Sequence, residues 1–114
     1  MSNTQALKHS HLRRVDGTAV IKPHGDLTGG PETDELETLV DQLDDEGVKC
    51  LVINLTAVGV MNSLALSRII RAHLKFTKRG ARVLLCNLET RIEQVFVIAK
   101  LSMVFPVYDD EAAA

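Results

Sequence analysis

Aromatic side chains are scarce in this chain of 114 residues: Phe, Trp and Tyr together make up 4%, and Trp is absent. A hydrophobic core must therefore be built mainly from Val, Leu, Ile and Ala, which suits layers of sheet and helix. Since 46% of the residues are hydrophobic, the chain can bury one continuous core. We expect a single α/β domain over residues 1–114, with loosely ordered ends at 1–5 and 109–114.

Cysteines and long hydrophobic runs are also few. The two thiols, Cys50 and Cys86, each lie in a short apolar run, where a free cysteine behaves as a small hydrophobic residue. The N-terminal segment MSNTQALKHS has no apolar signal core, and no segment reaches the length of a membrane span. These absences predict a cytoplasmic protein without disulfides and without direct membrane insertion.

The chain lacks a dense field of one charge. Its formal net charge is −2, and the basic residues are scattered apart from Lys75, Lys78, Arg79 and Arg82. Binding to nucleic acid draws on many Lys and Arg side chains that face the phosphates, so nucleic acid is not an expected partner. The small basic cluster fits the end of a helix, and a patch for phosphate or for an acidic partner is the alternative.

Motifs of catalysis are missing too. The sequence contains no GxSxG, GxxxxGK[ST], HExxH or CxxC, and the segment GDLTGG from Gly25 to Gly30 matches no nucleotide-binding fingerprint. His9 and His11 alternate as a strand pair would, but no third metal ligand lies nearby in the sequence. We therefore expect a protein that is not an enzyme and has no cofactor and no metal site.

The first elements are two antiparallel strands. Leu7 to Val15 alternates loosely, Thr18 to Pro23 has an apolar centre, and Asp16-Gly17 between them is a strong hairpin signal. The pattern breaks from Gly25 to Gly30. A helix should then begin at Pro31, which fits a first helical turn, and end at Gly47.

Helical spacing and apolar runs predict the remaining elements. The first helix is expected to bury Leu36, Leu39, Val40 and Leu43. A second helix is expected from Ser63 to Arg79, with an inner face of Leu66, Ile69, Ile70, His73, Leu74 and Thr77. A third is expected from Thr90 to Lys100, with an inner face of Ile92, Val95, Phe96 and Ala99. Buried strands are expected at Cys50 to Leu55, Arg82 to Cys86 and Val104 to Tyr108, and a loop at Thr56 to Met61.

The predicted order is β-β-α-β-α-β-α-β. Strands that alternate with helices imply crossover connections, and hence a mixed, mainly parallel sheet of about five strands with helices packed on it. In such sheets, binding sites lie at the carboxyl ends of strands. The predicted loop after Leu55 lies at such an end.

Ser63 is the most informative residue of this region. Ser63 or Asn62 can cap the free N–H groups of the second helix, as both residue types do well. A serine at a helix start can also accept a phosphate, because the backbone donors and the helix dipole stabilise added negative charge. Ser67, one turn later, is a weaker second candidate for modification.

The layout and the segment VMNSLALSRII resemble the STAS domain of bacterial anti-sigma-factor antagonists. The resemblance spans Leu7 to Tyr108, and the family's Gly-Glu-Leu-Asp strand end is similar to Gly25-Asp26-Leu27-Thr28. The family's phosphorylated serine matches Ser63 in this sequence. The Asp before that serine is matched by Asn62, and the Ser-Gly after it by Leu64-Ala65.

The resemblance implies an anti-sigma-factor antagonist that acts by partner switching. Its expected protein partners are an anti-sigma factor that is also a serine kinase, and a serine phosphatase that removes the phosphate from Ser63. The implied partner-binding residues come from two turns and the second helix: Gly25, Asp26, Leu27, Thr28, Met61, Asn62, Ser63, Leu64 and Ser67. The changed turn residues leave an alternative open, namely a constitutive STAS scaffold in a signalling complex or an accessory subunit of a lipid-transport ATPase.

Overall fold

The computed structural model of the protein describes residues 3–86 and 107–108, with side chains from residue 6 to residue 86. In chain order the elements are β1 (Asn3–Ala6), β2 (Ser10–Val15), β3 (Thr18–Leu27), α1 (Pro31–Asp45), β4 (Cys50–Asn54), β5 (Ala57–Met61), α2 (Ser63–Lys78), β6 (Arg82–Cys86) and β7 (Val107–Tyr108). No helix among these residues is long and apolar enough to cross a membrane.

The strands form one mixed sheet in the order β1-β2-β3-β4-β6-β7, and β5 pairs with β3 away from this row. β1, β2 and β3 are antiparallel neighbours, whereas β3–β4, β3–β5, β4–β6 and β6–β7 are parallel. The predicted α/β class and mixed, mainly parallel sheet are confirmed. The hairpin turn at Asp16 is also present, and Asp16 adopts the positive φ of 54° that this turn demands.

Two strands were not predicted. β1 lies within and just beyond the segment 1–5, where loose order was expected, and pairs with β2. β5 lies where a loop was predicted from Thr56 to Met61, and it pairs with β3. In the turn between β4 and β5, the Asn54 side chain accepts a hydrogen bond from the Thr56 N–H at 2.9 Å.

β3 is also longer than predicted. The expected break at Gly25 is wrong, because the strand continues to Leu27 and pairs with β5 over this second half. Gly25 has a φ of 95°, and the pairing register shifts between Gly25 and Leu27. The glycine thus produces an irregularity within the strand and does not end it.

Both described helices cover one face of the sheet, where the larger hydrophobic cluster lies. The prediction for α1 is confirmed: Leu36, Leu39, Val40 and Leu43 are buried. Gly47 follows the helix with a φ of 79°, and its N–H bonds to the carbonyl of Asp44 at 3.1 Å. Glycine accepts this conformation at a helix end without a Cβ penalty.

The predicted inner face of α2 is partly wrong. Leu66 and Ile69 are buried as expected, but Leu74 is 59% exposed and Thr77 is exposed. Ile70 and His73 are only partly buried. The actual inner stripe is Ala65, Leu66, Ile69, Ala72 and Phe76. The small alanines belong to the inner face, and Phe76 fills the space that was assigned to Leu74 and Thr77.

The predicted third helix from Thr90 to Lys100 lies outside the described residues, as does most of the predicted last strand. β7, within that predicted strand, pairs with β6 in parallel. The tail 109–114 is likewise outside the described part.

Candidate functional site

The candidate site lies where β3 and β5 end side by side. Leu27 and Met61 are register partners, and the N–H of Asn62 bonds to the carbonyl of Leu27 at 3.1 Å. α2 starts directly after β5, and α1 starts a few residues after β3. Two strand ends and two helix starts therefore meet at one edge of the sheet, although they come from distant parts of the sequence.

Asn62 joins these two segments. Its Oδ1 accepts a hydrogen bond from the N–H of Ala65 at 3.1 Å, which caps α2, and its Nδ2 donates to the carbonyl of Thr28 at 3.0 Å. The backbone at Asn62 is extended, with φ −102° and ψ 179°, as expected of an N-cap residue. One side chain thus satisfies a free donor of the helix and fixes the turn after β3.

Ser63 is exposed at the first position of α2. The sequence left open whether Ser63 or Asn62 caps the helix, and the structure assigns this role to Asn62. The Ser63 hydroxyl is therefore not required for capping. The first turn of α2 contains no acidic residue, so the positive end of its dipole is not offset there by a side-chain carboxylate.

Leu64 and Gly29 make the second contact between the helix start and the turn after β3. A Cβ atom placed on Gly29 would lie 2.5 Å from a methyl carbon of Leu64, and Gly29 has a φ of 94°. Only glycine fits here without displacing Leu64. Leu64 remains 44% exposed, so it packs on the turn and also presents apolar surface.

The other predicted partner-binding residues divide into two groups. Gly25, Asp26, Thr28 and Ser67 are exposed. Leu27 and Met61 are 0% and 7% exposed, and both belong to the main core cluster, so their side chains hold the site in place and do not present contact area. The Ser67 hydroxyl donates to the carbonyl of Leu64 at 2.6 Å.

Val60 is a surface residue of the site that the sequence analysis missed. It is 45% exposed, while its neighbours Val58 and Met61 are buried. The segment Ala57–Met61 has no alternating pattern that distinguishes Val60 from Val58, and it was interpreted as a loop. Val60 and Leu64 give the region around Ser63 an apolar component.

His9 and His11, which were considered as a metal pair, make contacts with different residues. His9 Nδ1 is 3.9 Å from a Glu32 carboxylate oxygen, whereas the ring of His11 lies near that of His24, with centroids 5.3 Å apart. Within residues 3–86, no group of three or more His, Cys, Asp or Glu side chains is arranged to hold a metal ion.

Ion pairs link α1 and α2 behind the site. Glu37 lies 3.3 Å from Arg68 and 3.4 Å from Arg71, Asp44 lies 2.6 Å from Arg79, and Asp41 pairs with Lys75. Lys75 donates a hydrogen bond to the Asp41 carboxylate, and this contact raises the pKa of Lys75. The paired residues follow one another in the same order along both helices, as expected of parallel helices that connect parallel strands.

Comparisons with known proteins agree with this architecture. A family model of the STAS domain matches residues 9–114. No curated protein matches the chain significantly.

Three solved structures illustrate the shared fold. An anti-sigma factor antagonist from Mycobacterium paratuberculosis is 19% identical, with a TM-score of 0.78 over 98% of this chain and 89% of that one. The Bacillus cell fate determinant SpoIIAA in its phosphorylated form is 15% identical, with a TM-score of 0.68 over 99% and 96%. A sulfate transporter family protein from Wolinella succinogenes is 19% identical, with a TM-score of 0.75 over 86% and 81%.

Proposed function

Since this chain belongs to the STAS domain family, we propose that it is an anti-sigma-factor antagonist whose binding to its partner is controlled by phosphorylation of Ser63. The partner is an anti-sigma factor that is also a serine kinase, and a serine phosphatase reverses the modification. The protein is a cytoplasmic binding module that regulates transcription and is not an enzyme. The observation that carries this proposal is the exposed Ser63 at the start of α2, with Asn62 serving as the cap.

A phosphate on Ser63 is compatible with the folded domain. It would add a charge of about −1.5 to −2 at neutral pH, at a helix start that has no acidic residue of its own. Because the helix dipole favours negative charge at this end, the modification does not require the helix to unwind. Phosphorylation would thus alter the binding surface while leaving the fold intact.

The surroundings of Ser63 explain why the same phosphate releases a partner. Val60 and Leu64 are 45% and 44% exposed, and Asp26 and Thr28 are exposed beside them. A partner that covers these apolar side chains excludes water from the region. Burying a doubly charged group there without a cation is costly, so the phosphorylated form should bind weakly.

The departures from the family's turn are consistent with this proposal. Asn62 retains the acceptor oxygen that caps α2 and adds an amide donor to the Thr28 carbonyl. Leu64 packs against Gly29. Both residues make contacts within the turn, and Ser63 between them is exposed.

Phosphorylation in vitro tests the proposal. The purified protein is incubated with ATP and the serine kinase encoded beside it or captured with it, and the modified residue is identified by mass spectrometry. We expect one phosphate on Ser63, none in Ser63→Ala, and unchanged incorporation in Ser67→Ala, the matched control one turn away. Phosphate elsewhere, or none while a known antagonist is modified by its own kinase, contradicts the proposal.

Binding measurements test the charge-based release. Calorimetry should show at least about tenfold weaker binding of the kinase to Ser63→Asp than to wild type, with near-wild-type binding by Ser63→Ala. A tenfold change corresponds to about 1.4 kcal/mol. Equal affinity of all three forms would mean that charge at this position does not govern release.

A constitutive STAS subunit is the second candidate. It is favoured by the absence of the family's Asp-Ser-Ser-Gly turn, which reads Asn62-Ser63-Leu64-Ala65 here, and by the likeness in fold to a sulfate transporter family protein. This candidate predicts that a Ser63→Ala strain behaves as wild type and that the protein co-purifies with a signalling scaffold or a membrane transporter. Recovery of only a soluble kinase contradicts the transporter version.

A further inference from the structure

The two helices of the described part of the chain carry opposite charge. α1 contains only acidic ionisable residues, and α2 contains only basic ones besides His73. The acidic residues of α1 are Glu32, Asp34, Glu35, Glu37, Asp41, Asp44 and Asp45. The basic residues of α2 are Arg68, Arg71, Lys75 and Lys78. The ion pairs between the helices use Arg68, Arg71 and Lys75, so Lys78 is the basic residue of α2 that they leave over. On α1 they leave over Asp34 and Asp45, among others, so unpaired charge of opposite sign lies on the outward surface of the two helices.

Each helix has an exposed outer line, in which Asp41 and Arg71 also take part in the ion pairs between the helices. On α1 this acidic line is Asp34, Thr38, Asp41 and Asp45. On α2 the basic line is Ser67, Arg71, Leu74 and Lys78. Both lines advance by four, three and four residues, the spacing of side chains that form one seam on a helix. The basic line also contains Leu74, which at 59% has the highest exposed fraction of the large hydrophobic side chains in the described part of the chain.

The two lines are level with each other. The ion pairs join Glu37 to Arg71, Asp41 to Lys75 and Asp44 to Arg79, so a residue of α1 lies beside a residue of α2 that is about 34 positions later. Asp45 and Lys78 are therefore at nearly the same height on their helices, as are Thr38 and Arg71. The helices are parallel, so a rotation by 180° about an axis along them preserves both direction and height.

We propose that the helix layer is a self-complementary surface through which two copies of this chain associate. In this two-fold arrangement, the acidic line of each copy lies on the basic line of the other. Lys78 of one copy then faces Asp45 of its partner, and the same contact repeats on the other side of the axis. Leu74 supplies apolar area between Arg71 and Lys78, and covering it removes an exposed hydrophobic side chain from water.

The part of this surface formed by Leu74 and Lys78 lies away from the proposed phosphorylation site, whereas Ser67, at the other end of the basic line, is one turn from Ser63. Leu74 and Lys78 follow Ser63 by 11 and 15 residues, which corresponds to about 16 and 22 Å along a helix. The self-association goes beyond the proposed function and does not depend on it. A protein that is never phosphorylated could still form the dimer, and a monomeric variant could still accept phosphate.

Charge reversal tests the arrangement. Sedimentation velocity of the full chain should show dimers at about 0.01 M salt and monomers at about 1 M salt, where the screening length falls from about 30 Å to about 3 Å. Lys78→Glu and Asp45→Lys should each weaken self-association about tenfold or more, because each places like charges opposite one another. An equimolar mixture of the two variants should form a heterodimer, since the reversed pair is again complementary.

Controls separate this interface from other causes. Lys22→Glu changes the same type of charge on β3, away from the helix layer, and should dimerise as wild type does. Circular dichroism should show that all variants are folded. Leu74→Ser should also weaken the dimer. A wild-type chain that remains monomeric at low salt, a mixture that does not associate, or an equal effect of Lys22→Glu overturns the proposal.

Discussion

α1 and α2 start next to each other, but their first turns are stabilised in different ways. Gly30 precedes α1 without a side-chain cap, and Glu32 and Asp34 place negative charge in its first turn. Asn62 caps α2 with a neutral side chain, and no acidic residue follows in its first turn. Carboxylates already offset the positive end of the α1 dipole, whereas the corresponding end of α2 is available to an added anion.

The same edge of the sheet thus holds one helix start that already has negative side chains, that of α1, and one that has none until an anion is added, that of α2. The turn before α1 is determined by backbone shape, since Gly29 has a positive φ and its N–H bonds to the Thr33 hydroxyl oxygen at 2.9 Å. The start of α2 is determined by hydrogen bonds of one amide side chain. The following variants alter one start at a time, beginning with the largest expected effect.

Gly29→Ala should lower the free energy of unfolding by about 2–3 kcal/mol, because alanine is strained at this φ and its Cβ would displace Leu64. Urea denaturation measures the loss. Gly80→Ala is the matched control, since Gly80 has a φ of 78° but nothing within 4 Å of an added Cβ. It should cost about 1 kcal/mol. Equal losses in the two variants would show that the Leu64 contact contributes nothing.

Asn62→Ala should lower the free energy of unfolding by about 1–2 kcal/mol, through loss of the cap on Ala65 and the bond to Thr28. Asn62→Asp retains an acceptor for the cap but removes the amide donor, so its loss should be smaller. Thermal unfolding of the three proteins gives the comparison. An equal loss in the two variants would mean that the bond to Thr28, and not the cap, accounts for the stabilisation.

Ser63→Asp should raise the free energy of unfolding by about 0.3–1 kcal/mol at low salt, because it supplies a charge that the start of α2 lacks. Asp34→Asn should have the opposite effect on α1 and a similar magnitude. Denaturant titrations at low and high salt measure both, and both effects should shrink as salt screens the charges. Stabilisation by Ser63→Asp that is insensitive to salt would point to a different cause.

The smallest expected effect concerns the C-terminal ends of α1 and α2, which differ in their charged residues. Lys75 and Lys78 lie in the last turn of α2, whereas α1 has no basic residue in its last turn and is followed by the C-cap residue Glu46. The hydrogen bond from Arg14 is the main cause that lowers the pKa of Glu46 below its ordinary value of 4.5. The resulting stabilisation is fully present above that ordinary value and is lost as pH falls through the lower pKa of the folded state.

Arg14→Gln should therefore make stability less dependent on pH below about 4.5. The effect should be only a few tenths of a kcal/mol, since the pair is exposed to solvent. Urea titrations from neutral to acidic pH measure this dependence. An unchanged dependence in the variant would mean that the Arg14 contact does not hold the Glu46 charge in solution.

Local signals predicted much of the fold. Pro31, the apolar spacing of α1 and Gly47 each act within a few residues, and all three were interpreted correctly. β5 was missed because its partner is the second half of β3, more than 30 residues earlier. Such a pairing leaves no periodic signal in a segment of five residues that includes Gly59. The inner face of α2 was misassigned because its apolar residues allow two neighbouring stripes: Ile70 and Leu74 favour one, whereas Ala65, Ala72 and Phe76 mark the one that is buried.

The sequence indicated that Ser63 lies at a helix start but not how its neighbours are arranged, and its modification stays a prediction. The strand-to-helix turn pointed to Ser63, and its exposure at the start of α2 agrees with that inference. Asn62 and Ser63 are both good capping residues, so the sequence could not assign the cap. The burial of Leu27 and Met61 depends on their pairing across β3 and β5, which only the three-dimensional structure reveals.

β3 pairs with β4 through Thr18–Ile21 and with β5 through His24–Leu27. Among the described residues, β5 has no other strand neighbour. Amide protons of β5 and of the second half of β3 should therefore exchange with solvent through a shared local opening, while those between β3, β4 and β6 stay protected until the whole sheet opens. The β3–β5 corner that bears Ser63 can therefore open locally when an enzyme binds it, while the remainder of the core stays closed.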